Sequence, residues 1–441
     1  MDENPKILKV FAVCLGCPKN RVDIEVALSS IDKLQPIKLV PNPKEANFII
    51  VNTCSFIEPA TKESIETILE LAENLSDNQK LIVMGCLPQR YKEELIKELP
   101  EVDFFFGTEA PWLIGKKLLG SPDSRNLMEP KRTIPCFHTR YQILPSSYLK
   151  ISEGCSNKCS FCLIPQIRGP LRNRSPEDIL KEAQWLEEQG VKELILIAQD
   201  LTAYKKQGVD LVDLLELLIR ESSIKWIRLM YLNPKGVSKR LLETIAKHDR
   251  ILNYLDIPIQ HVSSKILKTM RRGYDKKFLI KLFQKIRDII PNIAIRTTVM
   301  VGFPGETEED FNELVNFVKK QRFLNLGCFT YVDEEQSLSF KLKNKVNSEL
   351  AQKRKDIIMK IQSQIAKELN SKYIGRKVPA IIEGYSNETN LLLQARTYFQ
   401  APEIDGITYI SKGNAKVGEI KTVEITDSHI YDLVGHILEQ Q

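Results

Sequence analysis

The sequence predicts a mixed α/β chain of three units in series: a small parallel α/β domain, a partial, TIM-like (β/α)6 barrel and a small all-β barrel. Three observations support this. Apolar strand-like runs alternate with amphipathic helical stretches over most of the chain, the pattern of parallel sheets. One aperiodic stretch rich in Pro, Ser, Arg and Thr, Ser121 to Pro145, interrupts the alternation. After Gly375 the texture changes to short strands with frequent Gly, Asn and Asp. At 441 residues the chain exceeds one ordinary core, and length alone suggests about two to four domains.

In the first unit, residues 5–125, the runs "ILKVFAV", "NFIIVN", "KLIVMG" and "VDFFFG" read as buried parallel strands. Helical stretches such as "DIEVALSSI" and "PATKESIETILELAEN" separate them. Residues 126–144 read as a linker, a flexible junction between units. In residues 145–370 six strand candidates follow: "YLKIS", "ELILIAQ", "WIRLMYL", "LNYLDIPI", "IAIRTTVMV" and "LGCFTYV". Helical patterns such as "PEDILKEAQWLEEQG", closed by Gly190, lie between them. Six such repeats favour a barrel-like sheet smaller than the eightfold barrel. The long amphipathic "SELAQKRKDIIMKIQSQIAKELNSKYIG" leads to residues 371–441. There "KVPAIIEGY", "NLLLQARTYF", "ITYIS" and "EIKTVEITDSHIYDLVGHI" suggest the β-barrel.

Composition excludes disorder, because 43% hydrophobic and 27% charged residues are ordinary for a globular protein. No apolar run reaches the roughly 18 residues a bilayer span needs. "MDENPKILKVFAVCLGC" mimics a lipoprotein signal, but Lys9 interrupts its apolar run, which alternates like a strand. The expectation is a cytoplasmic protein with no membrane partner. An odd count of nine cysteines argues for metal ligation or redox chemistry over disulfides. The net charge of +6 permits a nucleic-acid partner without requiring one.

The chemistry concentrates in "EGCSNKCSFC", where Cys155, Cys159 and Cys162 directly follow the strand "YLKIS". In parallel sheets that end of a strand carries the site. Three thiolates on a short loop can hold three corners of an iron–sulfur cubane and leave one iron open. A structural zinc site is the other reading, but zinc takes four protein ligands and no fourth Cys or His follows closely. Cys17, Cys54 and Cys86 each lie just past an apolar strand. Such strand ends share one edge, so three distant cysteines can converge on a second cluster. The alternative is three small buried hydrophobes.

The C-x-x-x-C-x-x-C spacing after the first barrel strand resembles the signature of the radical S-adenosylmethionine enzymes, and Phe161 fits their aromatic before the third cysteine. With "GCPKNRVDIE", "NTCSFIEPATKESI" and "GCLPQR", the chain resembles the methylthiotransferases of that family over essentially its whole length. The resemblance implies an N-terminal methylthiotransferase domain, a radical SAM barrel and a C-terminal TRAM barrel. It implies two 4Fe–4S clusters, an auxiliary one on Cys17, Cys54 and Cys86 and a radical one on Cys155, Cys159 and Cys162, with S-adenosylmethionine. Cofactor neighbours are expected at Phe161, at Gln199 and Asp200 of "AQD", at Gln260 and His261 of "PIQH", at Arg296, and at Gly302 and Gly305 of "GFPGE". No side chain is expected as acid or base, since the hydrogen to be removed has no useful acidity. Cys14, Cys136 and Cys328 have no counterpart in the family pattern.

"LGCPKN", "AQDLTAY" and "QAPEIDG" resemble the RimO-type branch, which acts on the β-carbon of an aspartate in small-subunit ribosomal protein twelve. The branch that modifies an adenosine of transfer RNA (MiaB-type) more often has Asn at the position of Asp200. Charge agrees: residues 373–441 hold six Lys and Arg against nine Asp and Glu, a net of −3. A module that grips RNA should be basic, and an acidic one suits a basic ribosomal protein. The partners implied are that ribosomal protein and a reducing electron-transfer protein, with transfer RNA only under the alternative. A non-catalytic zinc-bound RNA-binding protein is the more distant alternative. Arg168, Arg172 and Arg174 of "RGPLRNR" read either as contacts to a cofactor or substrate carboxylate, or as a solvated loop.

Overall fold

The structure, a computed structural model, describes residues 7–120, 122–133, 135–386, 389 and 391–438. The first unit is a parallel sheet of β1 (Leu8–Cys14), β2 (Ile37–Leu39), β3 (Phe48–Thr53), β4 (Lys80–Gly85) and β5 (Phe104–Phe105), in the order β2-β1-β3-β4-β5. Its central strands bury Ile49 to Val51 and Leu81 to Val83 completely or nearly so, as continuous apolar runs in a covered sheet should. Helices α1 (Pro18–Asp32), α2 (Glu58–Ala72) and α3 (Cys86–Tyr91) follow β1, β3 and β4. Pro18 occupies the first turn of α1, where its missing N–H costs nothing. In this strand order the chain leaves β1 in both directions across the sheet, so a crevice opens past the C-terminal ends of β1 and β3.

Residues 122–133 and 135–145, whose composition suggested a flexible junction, are tied by hydrogen bonds and ion pairs to both neighbouring units. Phe105 N–H donates to Arg125 O and Leu127 N–H to Phe105 O, so the segment extends the edge of β5, itself only two residues long. The Arg125 guanidinium donates to the carbonyls of Ile96, Leu99 and Val102. Arg140, fully buried, pairs with Glu25 of the first unit and Glu182 of the second. Polar side chains rather than apolar periodicity fix this segment, which is why it lacked a pattern.

The central unit places β6 (Ser146–Lys150), β7 (Glu193–Ile197), β8 (Trp226–Leu229), β9 (Ile251–Asp256), β10 (Ala294–Val301) and β11 (Asn325–Thr330) side by side in chain order, all parallel. β6 and β11 are its edges, so the barrel stays open. The return helices start at defined points because Ser175, Asp210, Ser238, Asp275 and Thr307 accept N–H groups of the following turn. One core runs under them, including Leu149, Leu196, Ile227, Leu255 and Phe283.

The helix Ser348–Asn370 packs on β11. Gly302 lies against it with φ +78°, and a Cβ there would sit 2.5 Å from the Cβ of Ala351. Its N–H and that of Phe303 donate to the Glu306 carboxylate, which fixes the turn. Gly302→Ala is therefore expected to lose about 1–3 kcal/mol through backbone strain and overpacking. Denaturant unfolding checks this; an unchanged midpoint would mean the helix yields freely.

The C-terminal unit is a closed barrel of β12 (Lys377–Tyr385), β13 (Leu393–Thr397), β14 (Thr408–Lys412), β15 (Ile420–Ser428) and β16 (Leu433–Ile437), ordered β12-β13-β14-β16-β15. It is joined to the central sheet through Glu193 of β7, which accepts from Arg228 at 2.7 Å and from Arg396 at 2.6 Å. Burial alone would raise the Glu193 carboxyl, but the two guanidiniums outweigh it and hold it at about 2. Among the described residues no helix is long and apolar enough to cross a membrane.

Candidate active site

The three N-terminal cysteines reach one edge because each follows a neighbouring strand. Cys17 caps α1 after β1, Cys54 follows Thr53 of β3, and Cys86 opens α3 directly after β4. The approach is close: a Cβ on Gly16, whose φ is +103°, would lie 2.8 Å from the Cβ of Cys54. Asn20, one turn into α1, ties these loops together. Its amide donates to Leu15 O at 3.0 Å and Thr53 O at 2.9 Å. Its Oδ1 faces the thiols of Cys17 at 3.8 Å and Cys86 at 4.0 Å, and accepts from Arg168 at 2.6 Å.

The second trio sits on the loop after β6, pinned on both sides: Cys155 N–H donates to Gly169 O and Ser160 N–H to Met270 O. Arg272 donates to Cys159 Sγ at 3.2 Å, and Asn157 N–H points to Cys155 Sγ at 3.4 Å. Donors aimed at sulfur stabilise thiolate ligands. All six thiols are free and line one cavity of about 400 Å³. Burial pushes the Cys86 and Cys162 thiols up to about 12, so nearby positive charge is needed to hold them as thiolates. Among the described residues no three His, Cys, Asp or Glu groups stand close enough to hold a single metal ion. The donor set, two thiol trios around one space with N–H groups aimed at sulfur in the second, fits two multi-iron clusters.

Of the expected cofactor neighbours, Phe161, Gln199, Asp200 and Gln260 line this cavity. Gln199 donates to Glu153 at 2.7 Å and leaves its Oε1 buried without a partner, while Asp200 accepts from Asn157 at 2.7 Å. The other four lie elsewhere. His261 is fully buried, its Nδ1 accepts from Ser263 N–H at 3.0 Å, and burial lowers it to about 4, so it stays neutral. Arg296 turns to the C-terminal barrel and pairs with Asp405 at 2.7 Å. Gly302 and Gly305 belong to the Glu306 turn; neither borders the cavity.

The arginines of "RGPLRNR" are neither solvated nor free for a cofactor. Arg168 is buried between Asp23 at 3.1 Å and Glu153 at 3.0 Å, Arg172 pairs with Glu109, and Arg174 pairs with Asp178 and Glu182. Sequence reasoning also missed Asn20, Lys19, Arg272 and Tyr231. The first two stand one turn after Cys17, on the helix it caps, and that position was their signal. Cys14 ends β1 with its thiol raised by burial, Cys328 is buried in β11, and exposed Cys136 lies 3.3 Å from His138 Nε2. None of these three lines the cavity.

Comparison with known proteins follows the same division. The radical SAM superfamily matches residues 149–318, the uncharacterized protein family UPF0004 residues 9–107, and the TRAM domain residues 374–438. A solved radical S-adenosylmethionine methyltransferase, TsrM from Kitasatospora setae with cobalamin and a 4Fe–4S cluster bound, shares the fold. Its TM-score is 0.56 at 15% identity, covering 75% of this chain and 76% of that one. The chain is 45% identical to the ribosomal protein uS12 methylthiotransferase RimO of Aquifex aeolicus, over 98% of both chains. It is 46% identical to the RimO of Myxococcus xanthus, over 99% of this chain and 92% of that one. Likeness of that degree, end to end, has one consequence: the chain belongs to the RimO family of ribosomal protein uS12 methylthiotransferases.

Proposed function

We propose that this chain is a radical SAM methylthiotransferase that places a methylthio group on the β-carbon of an aspartate in ribosomal protein uS12. The observation that carries the reading is the convergence of two cysteine trios, from two different units, on one cavity. Cys155, Cys159 and Cys162 would hold the radical 4Fe–4S cluster with S-adenosylmethionine, and Cys17, Cys54 and Cys86 the auxiliary one. When bound, these groups supply a reducing electron, an adenosyl radical able to take hydrogen from an unactivated carbon, and a site for sulfur.

The chain's own residues position and shield. Phe56, Phe161, Ile164 and Leu232 give the cavity apolar walls that keep water from a reactive carbon. Gln199, Asp200 and Gln260, with Asn157, are the polar groups that would orient S-adenosylmethionine. The radical trio also borders a second opening of about 410 Å³, lined by Lys158 and Arg271 and by no carboxylate. That basic side suits the approach of an acidic electron-transfer protein. Residues 373–441 carry a net negative charge, and Arg396, one of their six cations, is buried in ion pairs. This favours a basic protein acceptor over RNA, and a ribosomal acceptor would put the enzyme's work in the cytoplasm.

The test offers anaerobically reconstituted protein both uS12 and transfer RNA, with S-adenosylmethionine and reductant. Mass spectrometry is expected to find one methylthio group on a uS12 aspartate. Modification of transfer RNA with untouched uS12 would reverse the assignment.

A further inference from the structure

Among the described residues, one cation of the cavity lining has no hydrogen-bond or ion-pair partner. Lys19, in the first turn of α1 and two residues past Cys17, is 6% exposed. Its ammonium sits 3.3 Å from the centroid of the Tyr231 ring, which the barrel presents just past β8. The other two cations of the lining are partnered: Arg168 with Asp23, Glu153 and Asn20, and Arg272 with Tyr274, Pro258 O and Cys159. Among the described residues Lys19 Nζ has neither a carboxylate within ion-pair distance nor a hydrogen-bond acceptor, and it is not sealed off, since Lys19 lines the cavity. An aromatic face attracts an ammonium without neutralising it, and the anions that act on Lys19 (Cys17, Glu153 and Asp256) stand outside ion-pair and hydrogen-bond contact, which leaves the ammonium free to take a carboxylate directly.

We propose that Lys19 is the positioning and specificity residue for the acceptor. Its ammonium pairs with the side-chain carboxylate of the aspartate to be modified and seats it between the two trios. The inference rests on the function proposed above. In aspartate the β-carbon is bonded directly to the carboxyl carbon, so clamping the carboxylate fixes the reacting carbon to within one bond. Fixing a reacting atom is what a catalyst of cofactor-borne chemistry must do. The Tyr231 ring supports the ammonium from the opposite domain, so the clamp exists only where the two units meet. An asparagine acceptor has the same shape without the charge and would leave Lys19 unpaired.

The experiment measures equilibrium binding of holoprotein to uS12 carrying either aspartate or asparagine at the modified position, by fluorescence anisotropy without reductant. Wild type is expected to prefer aspartate by about 10- to 100-fold, the range of a charge-assisted pair at a desolvated site. Lys19→Met should bring the two acceptors to within about twofold, and Lys19→Arg should keep most of the preference. The ratio is taken within one protein, so a partly misfolded variant lowers both affinities and leaves it readable. A Lys19→Met protein that retains the wild-type preference would overturn the clamp. So would a loss confined to S-adenosylmethionine binding, which would assign Lys19 to the cofactor's carboxylate. If wild type modifies no aspartate of uS12, the reaction proposed above falls and takes this inference with it.

Discussion

Replacing Cys155, Cys159 and Cys162 together by Ala is expected to cut 5′-deoxyadenosine formation by at least about 100-fold and to halve bound iron, from about eight to about four per chain. The loop does not depend on its thiols for shape. Backbone bonds from Cys155 to Gly169 O and from Ser160 to Met270 O hold both ends, and Ser160 Oγ also donates to Thr269 O. The change is therefore chemical, not a collapse of the site. The counterpart variant, with Cys17, Cys54 and Cys86 replaced, should still cleave S-adenosylmethionine and yet leave uS12 without its methylthio group. The two losses separate because the trios lie on different units and share only the cavity. Iron content, 5′-deoxyadenosine and product are measured on all three proteins. Normal 5′-deoxyadenosine from the first variant, or methylthiolated uS12 from the second, would refute the division of labour.

What the sequence could reveal of this site followed from how each residue reaches it. The cysteines were legible because a parallel sheet delivers every strand's C-terminal end to one edge, so position after an apolar run implied position in space. The same rule also pointed to His261, Gly302 and Gly305, which follow strands but do not line the cavity. A six-stranded open sheet has more loops than one cavity can touch, and the Glu306 turn faces the helix Ser348–Asn370 instead. Arg296 was lost to a partner far along the chain, Asp405, which no local pattern announces. Lys19, Asn20 and Arg272 escaped notice for a related reason. Their roles depend on which unit closes over them, and inter-unit packing has no sequence period. The aperiodic stretch around Arg125 showed no pattern, because guanidinium-to-carbonyl bonds tie it down where apolar spacing could not.

Arg168→Met is expected to destabilise the joint between the N-terminal domain and the barrel by about 3–5 kcal/mol, the usual result of removing one partner from a buried ion network. Directly beneath the cysteines, Asp23 of α1 meets Lys150 and Arg168 of the barrel, and both cations meet Glu153, with every member at least nine-tenths buried. Two carboxylates balance two cations; with Met at 168 they share one. Burial alone would raise the Glu153 carboxyl, but Arg168 and Lys150 outweigh it and hold it well below the usual range. A carboxyl depressed by folding gives stability that is present above its ordinary pKa and fades as pH falls towards its folded value. The deficit of Arg168→Met should therefore be greatest near neutrality and narrow in acid, where Glu153 can take a proton in place of its lost partner. Adding Glu153→Gln to Arg168→Met removes the surplus charge and should recover part of the loss, a coupling that a purely steric defect would not show. Denaturant midpoints of wild type, both single variants and the double variant at pH 7 and below pH 5 decide the matter. Additive losses at neutral pH would mean that the joint is held by packing rather than by these charges.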